Sequence, residues 1–115
     1  MYQFSYAEVQ QDDIAEAKDR ERQLLDRSIE LLLSAADKGT QSNEGIHALF
    51  LTRRIWVRFI EDLGSSENEL DAELRANLIS VGIWILKECE RIREGKSDNF
   101  SGIAEISGII RDGLK

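Results

Sequence analysis

Residues 51–63 read LTRRIWVRFIEDL and residues 74–84 read LRANLISVGIW, and these two stretches decide the fold. In both, apolar residues return at three- and four-residue steps, the period of an α-helix rather than the alternation of a strand. Leu51, Ile55 and Phe59 stand at i,i+4 spacing, and a second stripe runs through Ile46, Leu49, Phe50, Trp56, Val57, Ile60 and Leu63. An apolar arc this wide marks a central helix that touches neighbours on two sides. Each stretch is centred on or ends in a tryptophan, Trp56 or Trp84, and a short acidic loop lies between them. Helices joined by a short loop pack antiparallel. Both tryptophans are therefore expected to fill the core, where aromatic rings bury the most surface.

Working outward, the pattern gives four helices. The first is expected from about Asp13 to Asp37, with Asp13 and Glu16 as a capping box and Gly39 as the stop. Its apolar stripe is Ile14, Ala17, Leu24, Leu25, Ile29, Leu32, Leu33 and Ala36, and its densely charged first half is expected to reach into solvent. The second helix starts after the N-cap Ser42 and ends at Gly64. The third follows Ser66, with Glu69 completing a capping box, and runs to Glu94 before Gly95. Its faces carry Leu70, Leu74, Leu78, Val81, Ile85 and Ile92, widened by Ile79, Ile83 and Leu86. Gly82 lies inside it at a cost of about 1 kcal/mol of helix propensity, which predicts close approach of a neighbouring helix. The last helix spans Phe100 to Leu114, capped by Asp98 or Asn99, with Gly113 as its stop. The expectation is an all-α, compact, single-domain bundle over 1–115, with an N-terminal aromatic strap over 1–12 and the bundle over 13–115.

Composition narrows the function classes. A chain of 115 residues with no proline suits long helices in one domain. Cys89, the one cysteine, makes neither an internal disulfide nor a metal site, and reads as a small buried hydrophobe in a reducing cytoplasm. The N-terminus has no basic segment followed by an apolar one, so no secretory signal is read. The longest uncharged run, Ala76 to Leu86, falls well short of a membrane span. A net charge of -7 disfavours nonspecific binding to nucleic acid or anionic lipid.

No constellation carries catalytic chemistry, and neither enzyme activity nor a cofactor is expected. His47 is the sole histidine and is assigned no role. The carboxylates sit on mixed-charge faces such as 67–71 rather than in a pocket that would separate their pKa values. Arg53, Arg54 and Arg58 form the notable basic cluster. They suit phosphate or carboxylate recognition, against a plainer reading in which Arg58 pairs with Glu61 and Asp62. Tyr2, Phe4 and Tyr6, with Val9, are too apolar for an idle tail. They either strap permanently onto the bundle or cover a groove that a partner helix can claim. Candidate partner-binding residues are thus Tyr2, Phe4, Tyr6, Arg53, Arg54 and Arg58.

In order along the chain come Met1-Tyr2-Gln3 with Tyr6, Arg20-Glu21-Arg22 before Leu25-Asp26-Arg27, and Phe50 to Trp56. Then follow Glu61-Asp62-Leu63, Asn68, Leu74 to Trp84 and the Ile109 to Leu114 tail. This ordered combination resembles the flagellar biosynthesis regulator FlaF family over essentially the whole chain. The resemblance implies a small cytoplasmic all-α protein needed for flagellin production and filament assembly. It implies a noncatalytic factor that engages flagellin before export, as a secretion chaperone, alongside the companion regulator FlbT. The alternative is a post-transcriptional regulator acting on flagellin messenger RNA, alone or with FlbT. Flagellin is the expected partner and FlbT a second candidate, with no membrane contact and no direct nucleic-acid contact expected.

Overall fold

The computed structural model describes the backbone of residues 6–39 and 42–113, and the side chains among them except at 6–15, 17 and 18. Four helices follow in order: α1 (Tyr6–Lys38), α2 (Asn43–Gly64), α3 (Ala72–Arg93) and α4 (Phe100–Gly113). There is no strand among the described residues. α1 packs along both α2 and α4, α2 also packs along α3, and α3 meets α4 only marginally. The overall extents are 55 × 35 × 19 Å. The shortest is about two helix diameters, and the longest follows from α1, since a 33-residue helix rises roughly 50 Å.

The termini of the helices follow from local chemistry. Gly39 takes φ 94°, a left-handed conformation that L side chains disfavour, and its N–H donates to the Ala35 carbonyl at 2.8 Å. Ser42 Oγ accepts from the Gly45 N–H at 3.0 Å and caps α2. Gly95, at φ 78°, ends α3 in a Schellman motif: its own N–H reaches the Ile92 carbonyl and the Lys96 N–H reaches Arg91. Asn99 is the α4 cap, its Oδ1 accepting from the Gly102 N–H at 3.1 Å.

Two boundaries differ from expectation. α1 begins at Tyr6 rather than Asp13. Nothing among residues 6–12 breaks a helix, so the Asp13–Glu16 pattern sits inside one instead of opening it. Of the expected strap, Tyr2 and Phe4 lie outside the described residues, and Tyr6 is the first residue of α1. α3 begins at Ala72, with Asp71 in the cap position, rather than after Ser66. The reason is Asn68. Its side chain donates to the Asp62 carbonyl at 3.2 Å and accepts from the Leu70 N–H at 2.9 Å. That local turn competes with helix over 65–70.

The core lies where Leu25, Leu32 and Ala35 of α1 meet Ala48, Ile55 and Trp56 of α2, Ile85, Cys89 and Ile92 of α3, and Phe100, Ile103 and Ala104 of α4. Many of the buried positions carry small side chains: Ser28, Ala35, Gly45, Ala48, Thr52, Gly82, Ala104 and Ser107. Small residues let helix axes approach, so the seams run along them and large residues flank the seams. The Ser28 hydroxyl needs no distant partner, because it donates to the Leu25 carbonyl at 2.7 Å. Arg111 of α4 reaches Asp26 of α1 at 3.0 Å across the half-buried edge of their contact.

α2 and α3 approach closely where they cross at Gly82. A Cβ placed on Gly82 would stand 2.9 Å from Ile60 Cδ1 and Cγ1 and 3.2 Å from Trp56 Cε3. Close approach thus accounts for a glycine inside a helix, as the sequence predicted. Trp56 is 1% exposed and also meets the Phe59 ring edge-on at a centroid distance of 5.4 Å. Trp84, expected in the core, is 39% exposed instead. The helical period that turns Gly82, Ile85 and Cys89 inward leaves Trp84 on the outer side.

Substitution at Gly82 tests this crossing. Gly82→Val is expected to destabilise the domain by about 1–3 kcal/mol, the range for overpacking, read by urea unfolding. Gly82→Ala is expected to lose stability despite its propensity gain of about 1 kcal/mol. Adding Ile60→Val, which removes Cδ1, should recover part of that loss. A stabilised Gly82→Ala variant would contradict the packing.

Candidate partner-binding surface

α2 turns its small and aromatic residues inward, Gly45, Ala48, Thr52, Ile55, Trp56 and Leu63. Helical geometry therefore leaves Ile46, Phe50, Arg53, Arg54, Val57 and Arg58 on its outer side. Ile46 is 57% exposed and Phe50 60% exposed, and Val57 is exposed with them. The sequence reading placed all three in a buried stripe. It followed bulk, whereas the packing follows the small residues one or two positions away. On α3 the same substitution of roles exposes Leu74, Ile83 and Trp84.

Between the outer sides of α2 and α3 lies a hollow of about 300 Å³. Its apolar walls are Ile46, Leu49, Phe50, Leu86 and Cys89, and Arg53, Glu90 and Arg93 border it. Glu90 links the two helices: Arg53 approaches it at 3.9 Å from α2, and Arg93 binds it from its own helix through both carboxylate oxygens. The Arg93 hydrogen bonds, with the charges of Arg93 and Arg53, hold the Glu90 carboxyl below the usual carboxylate range. Exposed ion pairs of this kind contribute little to stability. Their effect is to fix a charged border around an apolar opening.

The three arginines named from sequence do stand together on this side of α2. Arg54 lies over the Phe50 ring at 5.8 Å, a cation–π contact. Arg58 shares a shallow surface with Phe50, Arg53, Arg54, Val57 and Glu61. Its expected pairing with Glu61 and Asp62 is not among the ion pairs of the described residues. His47 is exposed on the same helix. Leu86, Cys89 and Glu90 complete the surface; the sequence reading assigned Leu86 to the apolar face of α3 and Cys89 to the interior, and named none of the three as partner-binding. The available signal was Gly82: Leu86 and Cys89, four and seven residues beyond it, share its face of the helix and so lie toward α2.

A second hollow, of about 400 Å³, opens at the far end of the bundle. Trp56, Phe59, Leu63, Leu78 and Ile110 line it, with Glu21 and Asp62 at its edge. Its lining comes from all four helices and from Asn68 and Leu70 in the loop before α3. Among the described residues, no group of three or more His, Cys, Asp or Glu side chains could hold a metal ion, and no helix is long and apolar enough to cross a membrane.

Cys89 sits at the floor of the first hollow, 4% exposed. Burial pushes its thiol up to about 12, with Arg53 opposing and Glu88 adding to the shift. The thiol is therefore neutral and unreactive at ordinary pH. Its native alkylation by iodoacetamide is expected to be far slower than in urea. The folded pKa exceeds the unfolded one, so the associated stability is complete below about pH 9 and declines toward pH 12. The decline is at most about 1.4 kcal/mol per pH unit. Subtracting the alkaline stability profile of Cys89→Ala from that of the natural chain isolates it. Rapid labelling of the native protein, or identical profiles, would contradict this burial.

Comparisons with curated proteins and with solved structures gave no match. One family model, described as flagellar protein FlaF, matches residues 2–114. That is essentially the whole chain, and it includes α2 and α3 and the surface between them; the protein belongs to the FlaF family of flagellar proteins.

Proposed function

We propose that this protein binds flagellin before export, as a secretion chaperone, and thereby promotes flagellin production and filament assembly. The observation that carries the reading is the uncovered apolar surface of α2 and α3. Ile46, Phe50 and Val57 stand along one side of α2, beside a hollow walled by Leu49, Leu86 and Cys89. Isolated apolar residues on a surface are ordinary, but rows of them beside an apolar hollow mark a docking site. Membership of a flagellar family supplies the setting. An amphipathic helix laid into such a surface would be held by anchors at i, i+3, i+4 and i+7. Covering the apolar faces of an unassembled filament subunit in this way would prevent early self-association.

A second reading has one observation in its favour. Arg53, Arg54 and Arg58 stand together beside Phe50, and arginines with an aromatic ring suit RNA. This reading makes the protein a post-transcriptional regulator on flagellin messenger RNA, alone or with FlbT. A net charge of -7 opposes it.

Calorimetric titration with monomeric flagellin, at low and high salt, separates the two. The chaperone reading expects saturable binding that survives high salt, with a negative heat-capacity change from apolar burial. Binding to flagellin messenger RNA that collapses as salt rises, without binding to flagellin, would support the regulator instead. The role proposed for Tyr2, Phe4 and Tyr6 is tested by removing residues 1–10. Altered flagellin affinity with an unchanged unfolding transition is expected. Unchanged affinity, or loss of the fold, would remove these residues from the binding surface.

A further inference from the structure

We infer that the α2–α3 surface is the seat of an acidic amphipathic helix, whose apolar side enters the hollow above Cys89 while its carboxylates meet Arg54 and Arg58. The inference rests on the flagellin reading only for which protein carries that helix. The shape and charge of the seat stand on their own residues.

The floor excludes a purely polar ligand. Leu49, Leu86 and Cys89 offer no charge, and the Cys89 thiol is too well buried to act as an exposed donor. An apolar side chain is the group that gains most by displacing water from this opening. Phe50 and Val57 continue the apolar track along α2, so the occupant must present repeated apolar residues on one side. A helix aligned with α2 does so.

The border then selects charge. Arg53 and Arg93 already share Glu90, so both guanidinium groups of the near edge are committed to one carboxylate. Arg54 and Arg58 take part in no ion pair among the described residues, and Arg54 is positioned by its contact with Phe50. Their planar guanidinium groups match carboxylates as two-point partners. Glu61 is the acidic residue that shares this surface, one helical turn beyond Arg58. The excess charge along the track is therefore positive on a chain whose net charge is -7. Nucleic acid fits less well, because a phosphate backbone running along the track would approach Glu90 and Glu61 and leave the apolar floor unfilled.

Two designed helical peptides of identical apolar pattern, one with glutamate and one with lysine on the polar side, test the seat directly. General attraction to an acidic protein would rank the lysine peptide first. The proposed seat ranks the glutamate peptide first. Phe50→Ala is expected to weaken the glutamate peptide and monomeric flagellin roughly tenfold or more. Arg54→Glu with Arg58→Glu is expected to weaken both by about tenfold at low salt and to reverse the peptide ranking. Arg27→Glu on α1, an exposed site away from the seat, is a charge control of half that size and should change neither. Both replaced surfaces are exposed, so unfolding profiles should match the natural chain. If flagellin binds but these variants leave it unaffected, the seat is wrong while the chaperone reading stands. If the glutamate peptide binds through Phe50 and Arg54 but flagellin does not bind, the seat stands and the flagellin reading fails. Preference for the lysine peptide, or RNA binding lost in the arginine variants, overturns the seat.

Discussion

The close crossing of α2 and α3 at Gly82 sets much of what the surface displays. With Ile60 and Trp56 occupying the space of a missing Cβ, the two helices meet through Gly82 rather than through large side chains. That contact fixes the rotation of each helix about its axis. On α2, Trp56 turns inward and Phe50 outward; on α3, Ile85 and Cys89 turn inward and Ile83 and Trp84 outward. The same use of small residues recurs at Ala48, Thr52, Ser28 and Ser107. A bundle closed by small residues keeps a narrow core and leaves large apolar side chains over. In this chain Ile46, Phe50 and Val57 are among them, and they border the opening between α2 and α3.

Features governed by local backbone chemistry were legible in the sequence. Ser42 as a cap, Gly39 and Gly95 as stops, and Gly82 as a close approach each follow from one residue's conformational or hydrogen-bonding constraint. The α3 start was misread because two local patterns overlap. Ser66 and Glu69 form a plausible capping box, but Asn68 between them makes a stronger local turn with Asp62 and Leu70. The α1 start was misread because a capping pattern marks a boundary only when something also stops the preceding residues. Face assignment failed for a different reason. Ranking positions by hydrophobic bulk puts Ile46, Phe50 and Trp84 inside, whereas the helix seams follow Gly45, Ala48 and Gly82.

The same failure locates the candidate surface. On the proposed reading, Ile46, Phe50 and Val57, which look like core but lie outside, are the residues a partner covers. Arg53, Arg54 and Arg58 were visible as a cluster, yet their setting was not. Sequence could not place Leu86, Cys89 and Glu90 beside them, because that juxtaposition depends on the rotation fixed at Gly82. Charge has a similar division: the chain as a whole is acidic, and much of that acidity lies on α1 and in residues 65–71, while the outer side of α2 is locally basic. Whole-chain charge and local charge thus point to different partners, and the local value governs a docked helix.

The central claim is that the large apolar residues left outside by the small-residue seams are the ones a partner covers. Methyl-resolved NMR of the full chain, labelled at Ile, Leu and Val and titrated with monomeric flagellin, addresses it residue by residue. The account expects Ile46, Val57 and Leu86 to shift while the core methyls of Leu32, Ile92 and Ile103 hold their positions. Shifts confined to residues away from the outer sides of α2 and α3, with Ile46, Val57 and Leu86 unmoved, would contradict it.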